Sequence, residues 1–438
     1  MKKLLITTAI LSALSINAVA APTTSLADSV AADQQRLSQI FEHIHANPEV
    51  GFAEHNTAAI VAKELNEAGF EVHEGIAGTG VVGILKNGKG PTVMFRADMD
   101  ALPIKEQTNL PYAATEKTID ADGHENYAMH ACGHDAHATW LIGMAKQLSE
   151  RTNEWKGTVI LVAQPAEELI MGATAMVNDD LYKIVPKPDV LIAGHTHPIF
   201  PEDTVGIREG IRMAGTDQID VHFNGVGGHG STPHATKDPV VMAAMATMGY
   251  QTITSRMLDQ SQPAVLTVGS IQTGSENNII PDDATVKINL RWNRDQDRQV
   301  MIDGIKQVSD NVAQMYGVEQ DKMPTYEMKG YSIPVVNAKV ETKLVRQAMI
   351  DALGEDKVLT GMPATMGSED FHMLTSPYPD VPVVFVEVGA AKQSTWDNFI
   401  EHGKMPKHIN HNPNYVIEQG TLATGTVALT SAVMNFLQ

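Results

Sequence analysis

Residues 130 to 137 read His-Ala-Cys-Gly-His-Asp-Ala-His, and Cys132 is the only cysteine in the chain. A thiol with His130 two positions before it and His134 two positions after it has the make-up of a soft metal site or of an activated nucleophile. A free buried cysteine acting as a small apolar residue is the plain alternative. Two further clusters add chemistry. Gln164-Pro165-Ala166-Glu167-Glu168 sets two carboxylates side by side, and Gly194-His195-Thr196-His197-Pro198 supplies imidazoles. Neighbouring side chains in an extended turn point in different directions, so one glutamate can hold a metal while the other reaches water as a general base. One thiolate, three imidazoles and a carboxylate, with His195 and His411 in the set, make five ligands. That is more than a closed tetrahedral zinc needs and suits two metals with open positions.

These clusters sit where apolar runs end. Thr92-Val93-Met94-Phe95 runs into Arg96-Ala97-Asp98-Met99-Asp100, Thr158 to Val162 runs toward Glu167-Glu168, and Val190-Leu191-Ile192-Ala193 runs into Gly194-His195. Helical spacing over residues 136–150, with Asp135 as N-cap, separates two of the strands. Alternating strands and helices predict an α/β fold, a mostly parallel sheet covered by helices, whose ligands bind beyond the carboxyl ends of the strands. From about residue 212 the pattern changes to strands over 218–223, 264–271 and 285–292 and helices over 238–257 and 297–316. This predicts an inserted α+β unit over 212–324, between catalytic segments 21–211 and 325–438, the second ending in a strand over 383–388 and a helix over 420–436.

Residues 1–20 have the form of an export signal: Lys2 and Lys3, an apolar core over 4–16, and Ala18-Val19-Ala20. The apolar core is shorter than the roughly 20 residues of a membrane span, so the reading is an exported, periplasmic or secreted protein with no membrane partner. The formal charge is −20, and −22 without the two lysines, from 30 basic against 52 acidic side chains. Such acidity argues against nucleic acid, because phosphate binding needs clustered Lys and Arg. Several motifs fail. Gly78-Thr79-Gly80-Val81-Val82-Gly83 matches G-x-G-x-x-G, but Ile84-Leu85-Lys86 and an Asn87-Gly88 turn follow, which reads as a strand and hairpin without a phosphate-cradling helix. Neither G-x-S-x-G nor H-E-x-x-H is present.

Taken in order, the clusters resemble the dinuclear metallopeptidases that include aminoacylase and glutamate carboxypeptidases, and within them the hippurate hydrolase and indole-acetyl-amino-acid hydrolase branch. The resemblance runs through Arg96 to Pro103, His130 to Asp135, Gln164 to Glu168, Gly194-His195, Gly227-Gly228-His229-Gly230, Asn278-Ile279-Ile280-Pro281, Gly367 to Phe371 and His411-Asn412-Pro413. It implies an amidohydrolase for N-acyl amino acids or related small amides and dipeptides, with two divalent ions, manganese or zinc. It further implies that Cys132, His134, Glu168, His195 and His411 are the metal ligands, that Glu167 is the general base and that Asp100 supports the site from behind. His229, Asn278 and Arg291 fall at the substrate-facing side of the lid, and the inserted unit is implied to make a homodimer. The branch usually carries an aromatic residue where His197 stands, and the 120–127 segment is longer and more polar than usual. Two other readings compete with this one. Cys132 as the nucleophile of a cysteine hydrolase would leave Glu167, Glu168 and His411 without a role. A non-enzymatic binder on the same fold would have lost the general base, yet Glu167 is present.

Overall fold

The computed structural model describes residues 24–438, so the predicted export signal lies outside the described residues. The first segment supplies β1 (Glu71–Ile76), β2 (Gly80–Asn87), β3 (Thr92–Asp98), β4 (Gly157–Gln164), β5 (Val190–Pro201) and β6 (Val205–Gly206). An inserted sheet contains β7 (Gly215–Asn224), β8 (Ala264–Gln272), β9 (Asp283–Trp292) and β10 (Thr325–Ser332), and β11 (Val358–Leu359) and β12 (Val383–Ala391) return to the first sheet. The large sheet has the order β1-β2-β4-β3-β5-β12-β6-β11. Its centre, β4-β3-β5-β12, is parallel, while β1-β2, β2-β4 and β12-β6 are antiparallel pairs.

The central strands are apolar on both faces, as strands covered twice must be. Along β3, Val93 and Phe95 pack with Trp140 and Leu141 of the helix His134–Glu150, while Met94 faces the opposite core with Ala173, Met176 and Phe371. The same alternation places Val159 and Leu161 on one side of β4 and Ile160 and Val162 on the other. The G-x-G-x-x-G match falls in the β1–β2 hairpin, so no helix follows it.

Helix His134–Glu150 starts earlier than its spacing suggests: Gly133 is its N-cap, and Asp135 lies inside the first turn rather than at the cap. Asp135 instead accepts a bond from Ala136 N–H and contacts His45 Nδ1 at 2.6 Å.

The inserted sheet is antiparallel in the order β8-β9-β7-β10. Helices Pro239–Thr252 and Asp295–Met315 cover it around a separate core of Phe223, Tyr250, Leu290 and Trp292. Asp238 caps the first helix by accepting from Val240 and Val241 N–H. The fourth strand is Thr325–Ser332, paired with β7, so the chain stays in this sheet beyond the expected boundary at 324. Two short strands, Gly210–Met213 and Val335–Asn337, pair where the chain passes between the two sheets.

Candidate active site

The polar clusters meet at the carboxyl ends of β3, β4 and β5. Cys132 precedes the helix His134–Glu150 through Gly133, which holds φ +93°. A Cβ there would stand 2.5 Å from Thr196 Oγ1, so only glycine lets this turn lie against β5. Thr196 closes the contact by donating its hydroxyl to Cys132 O at 2.9 Å. Glu167 and Glu168 follow Ala166, which holds φ +51°, and Ala166 N–H is tied at 2.8 Å to the buried carboxylate of Glu54. His411 also lies in the left-handed region, at φ +68°, with its N–H on Ala131 O. Strained backbone held by its surroundings on both sides of one pocket is typical of a functional site.

The ligand-bearing side chains converge. Cys132 Sγ is 3.4 Å from His195 Nε2, and His195 donates from Nδ1 to Thr196 O at 2.7 Å, which turns Nε2 toward the sulfur. Asp100 contacts His134 Nδ1 at 3.2 Å with one oxygen and accepts Glu168 N–H at 2.9 Å with the other. His134 Nε2 thereby faces three carboxylates, 3.6 Å from Asp98 Oδ2 and 3.9 Å from an oxygen each of Glu167 and Glu168. His411 Nε2 lies 3.4 Å from Glu168 Oε1. Among the described residues, five sets of donor atoms fall within 4.8 Å of one another, three of them facing the cavity (Cys132, His134 and His195; Cys132, Glu168 and His411; His134, Glu167 and Glu168) and two built on Asp98 (with His134 and His137, and with Glu167 and Glu369). His134 Nε2 and Glu168 Oε1 are buried and have no hydrogen-bond partner among the described residues. Buried polar atoms without partners are costly, and two beside a thiol and two more imidazoles fit divalent cations.

The electrostatics are those of crowded, dry charges. Burial drives the Glu167 carboxyl well above the usual range, helped by the neighbouring Glu369 and Glu168. Burial and Glu168 raise the Cys132 thiol, but His195 and His134 outweigh them and bring it down to about 6. Burial lowers His195 while the Cys132 thiolate raises it, with a net rise to about 9. His411 rises to about 10 through its contacts with Cys132 and Glu168.

A second layer was not singled out residue by residue from the sequence. Arg96 is fully buried and binds Asp98 at 2.7 Å, Glu369 at 3.0 Å, Asp370 at 3.3 Å and Gln164 at 2.7 Å. Asp98 accepts from His137 Nδ1 at 2.5 Å, and His137 Nε2 accepts Thr196 N–H at 2.8 Å. Thus the β3 motif, the 130–137 block and the Gly367 to Phe371 motif form one scaffold under the ligands. The signal was present in those motifs, but nothing in the sequence pairs Arg96 with residues 273 and 274 positions away.

A cavity of about 570 Å³ opens over this layer, lined by Cys132, Glu167, Glu168, His195, His411, His197 and Glu387, and by Gln218 and Arg291 from the inserted sheet. Arg291 donates to Asn289 at 2.7 Å and to Ser368 Oγ, and makes no ion pair among the described residues. His229 and Asn278 are not brought to the cavity. Both are exposed on the inserted unit, where Gly230 N–H donates to Asn278 O.

Residues 94–428 match the model of peptidase family M20/M25/M40. The chain belongs to that family. Its amide-hydrolase relatives include a hippurate hydrolase from Campylobacter jejuni, 38% identical over 65% of this chain and 72% of the relative. An N-acetyl-L-cysteine deacetylase from Bacillus subtilis is 35% identical over 92% of this chain and 89% of its own. The fold is shared with a crystal structure of a Bacillus subtilis dinuclear metal binding peptidase from the M20 family. That likeness has a TM-score of 0.68 and 26% identity, and covers 93% of this chain and 99% of the other. As a member of this peptidase family the chain is a hydrolase of carbon–nitrogen amide bonds.

Proposed function

We propose that this enzyme hydrolyses the amide bond of N-acyl amino acids, with two divalent ions, manganese or zinc, held by Cys132, His134, Glu168, His195 and His411. The observation that carries the reading is the slot at His134 Nε2: a nitrogen oriented by Asp100, with no hydrogen-bond partner among the described residues, faced by Asp98 at 3.6 Å and by Glu167 and Glu168 at 3.9 Å each. When bound, the ions supply Lewis acidity that polarises the scissile carbonyl and lowers the pKa of water. Glu167, buried beside the slot, takes the proton from the attacking water as the oxygen bonds to the carbonyl carbon. It then delivers that proton to the amine nitrogen as the carbon–nitrogen bond breaks. Asp100 fixes the His134 ring and the Glu168 backbone together, so ligand and base keep their spacing. Arg291, in the cavity wall and without an acidic partner among the described residues, receives the substrate carboxylate.

Hippurate and N-acetylcysteine, the substrates named for two relatives, are both N-acyl amino acids, which supports this substrate class. We place the protein outside the cytoplasm on the strength of residues 1–20, and as a homodimer through the inserted unit. Val240, Val241, Met245 and Met248 leave an exposed apolar stripe on helix Pro239–Thr252 for such contact. His229, remote from its own chain's cavity, would then serve the partner's site by polarising the scissile carbonyl.

The test is hydrolysis of a panel of N-acetyl and N-benzoyl amino acids before and after chelation, with manganese or zinc restored. Glu167→Gln should lose at least 100-fold in kcat while still binding two ions. Turnover that survives chelation but stops on thiol alkylation would move the chemistry to Cys132 as nucleophile.

A further inference from the structure

His197 is the side chain of the Gly194 to Pro198 cluster that the proposed reaction leaves unused. Its ring stacks on Phe200 with centroids 3.5 Å apart and planes 13° from parallel. Nδ1 accepts the backbone N–H of Ile199 at 3.3 Å and of Phe200 at 3.4 Å. A ring nitrogen that accepts carries no proton, so the imidazole proton is on Nε2. Nε2 stands 3.9 Å from Glu387 Oε1, beyond hydrogen-bond length. Glu387 is itself immobilised, because Arg212 grips both of its oxygens, Oε2 at 3.0 Å. Both residues line the cavity that contains Glu167 and His195. The wall therefore presents one locked donor without an acceptor among the described residues and, beside it, a carboxylate oxygen with a lone pair to spare.

We propose that His197 and Glu387 form a subsite for substrates whose side group ends in a carboxamide or hydroxyl. The group's oxygen accepts from His197 Nε2 and its N–H or O–H donates to Glu387. An alkyl or plain phenyl group would expel water and leave the His197 donor unsatisfied, and a carboxylate would meet the Glu387 charge. This rests on the reading of the cavity as an N-acyl amino acid site. It deepens that reading by naming the class of side group that the cavity wall selects.

The test is calorimetric binding to the full, metal-loaded chain of uncleavable amine analogues in matched pairs. One pair is N-(4-hydroxybenzyl)glycine against N-benzylglycine, and the other is N-benzylglutamine against N-benzylnorvaline. In at least one pair the polar member should bind about tenfold more tightly, and His197→Phe should reduce that ratio to below twofold. Where His197→Phe does not fold, His197→Leu serves. Equal affinities within both pairs, no binding of any member, or a ratio that survives the substitution overturns the subsite. Hydrolysis of the parent amides is scored separately. A His197-dependent preference without cleavage would leave the subsite standing and sink the hydrolytic reading, whereas cleavage without preference would do the reverse.

Discussion

Replacing Arg96 by Met tests whether the layer under the ligands is held by charge. The guanidinium is fully buried and, among the described residues, is the one cation that meets Asp98, Glu369 and Asp370 together. Burial holds Asp370 up at about 7 even though Arg96 pulls it down, and Asp98 stays well below its ordinary value, against burial, because of Arg96, His134 and His137. Removing one partner of a buried ion pair costs about 3–5 kcal/mol, since the other charge stays buried. Here up to three carboxylates are stranded, so the upper end of that range is expected at pH 8. The carboxylates escape by binding protons. A buried acid with a raised folded pKa is favoured at low pH and penalised above that pKa, so the loss must shrink as pH falls. It should shrink by about 1.4 kcal/mol per pH unit for each extra proton held. Urea denaturation followed by circular dichroism at pH 8 and pH 5.5 reads both numbers. A loss below about 1 kcal/mol at pH 8, or the same loss at both pH values, would refute an ionised network.

Other perturbations separate the remaining layers. Asp100→Ala frees both His134 and the Glu168 backbone and should weaken metal binding about 10- to 100-fold, measured by competition with a chromophoric chelator. Gly133→Ala brings a Cβ to 2.5 Å from Thr196 Oγ1 at φ +93°, and should cost about 2 kcal/mol or more in the same denaturation assay. His45 is lowered by burial but raised further by Asp135 and Glu106, to about 9 against 6.5 unfolded. Its contribution, up to about 3 kcal/mol, is fully present below pH 6.5 and is lost as pH rises through 9, so His45→Gln should flatten stability between pH 7 and 10.

Sequence reached the strand ends because β3, β4 and β5 carry uninterrupted apolar runs that stop at charged residues, and a parallel sheet gathers such ends on one side. Glu168, one of the candidate ligands, was within reach for the same reason, since it lies in the short turn just beyond β4, whereas Cys132 and His134 stood out only by their own cluster at the start of a helix. The sequence did not reach the Arg96 network, whose partners meet only after the C-terminal segment folds back. Nor did it reach Glu54, an ordinary helix-flanking acid by sequence that proves to hold the Ala166 turn. Strand Thr325–Ser332 was assigned to the wrong side of a boundary because an edge strand is mostly exposed and lacks an apolar run. The strand β5 runs to Pro201, well past Ala193, and so carries His195 and His197 on strand backbone rather than on a loop.

The position of His411 has a thermodynamic meaning. Most of the candidate ligands come from the chain before the inserted sheet, and His411 comes from the segment after it, fixed beside Cys132 through its N–H on Ala131 O. An ion shared between His411 and the earlier ligands is a removable cross-link between two chain segments that fold around an insertion. Folding and metal supply then become one equilibrium: each tenfold rise in free ion above Kd adds about 1.4 kcal/mol to the folded state. With His411 as a ligand, as proposed, the melting temperature should rise with free ion, and should cease to do so in His411→Ala.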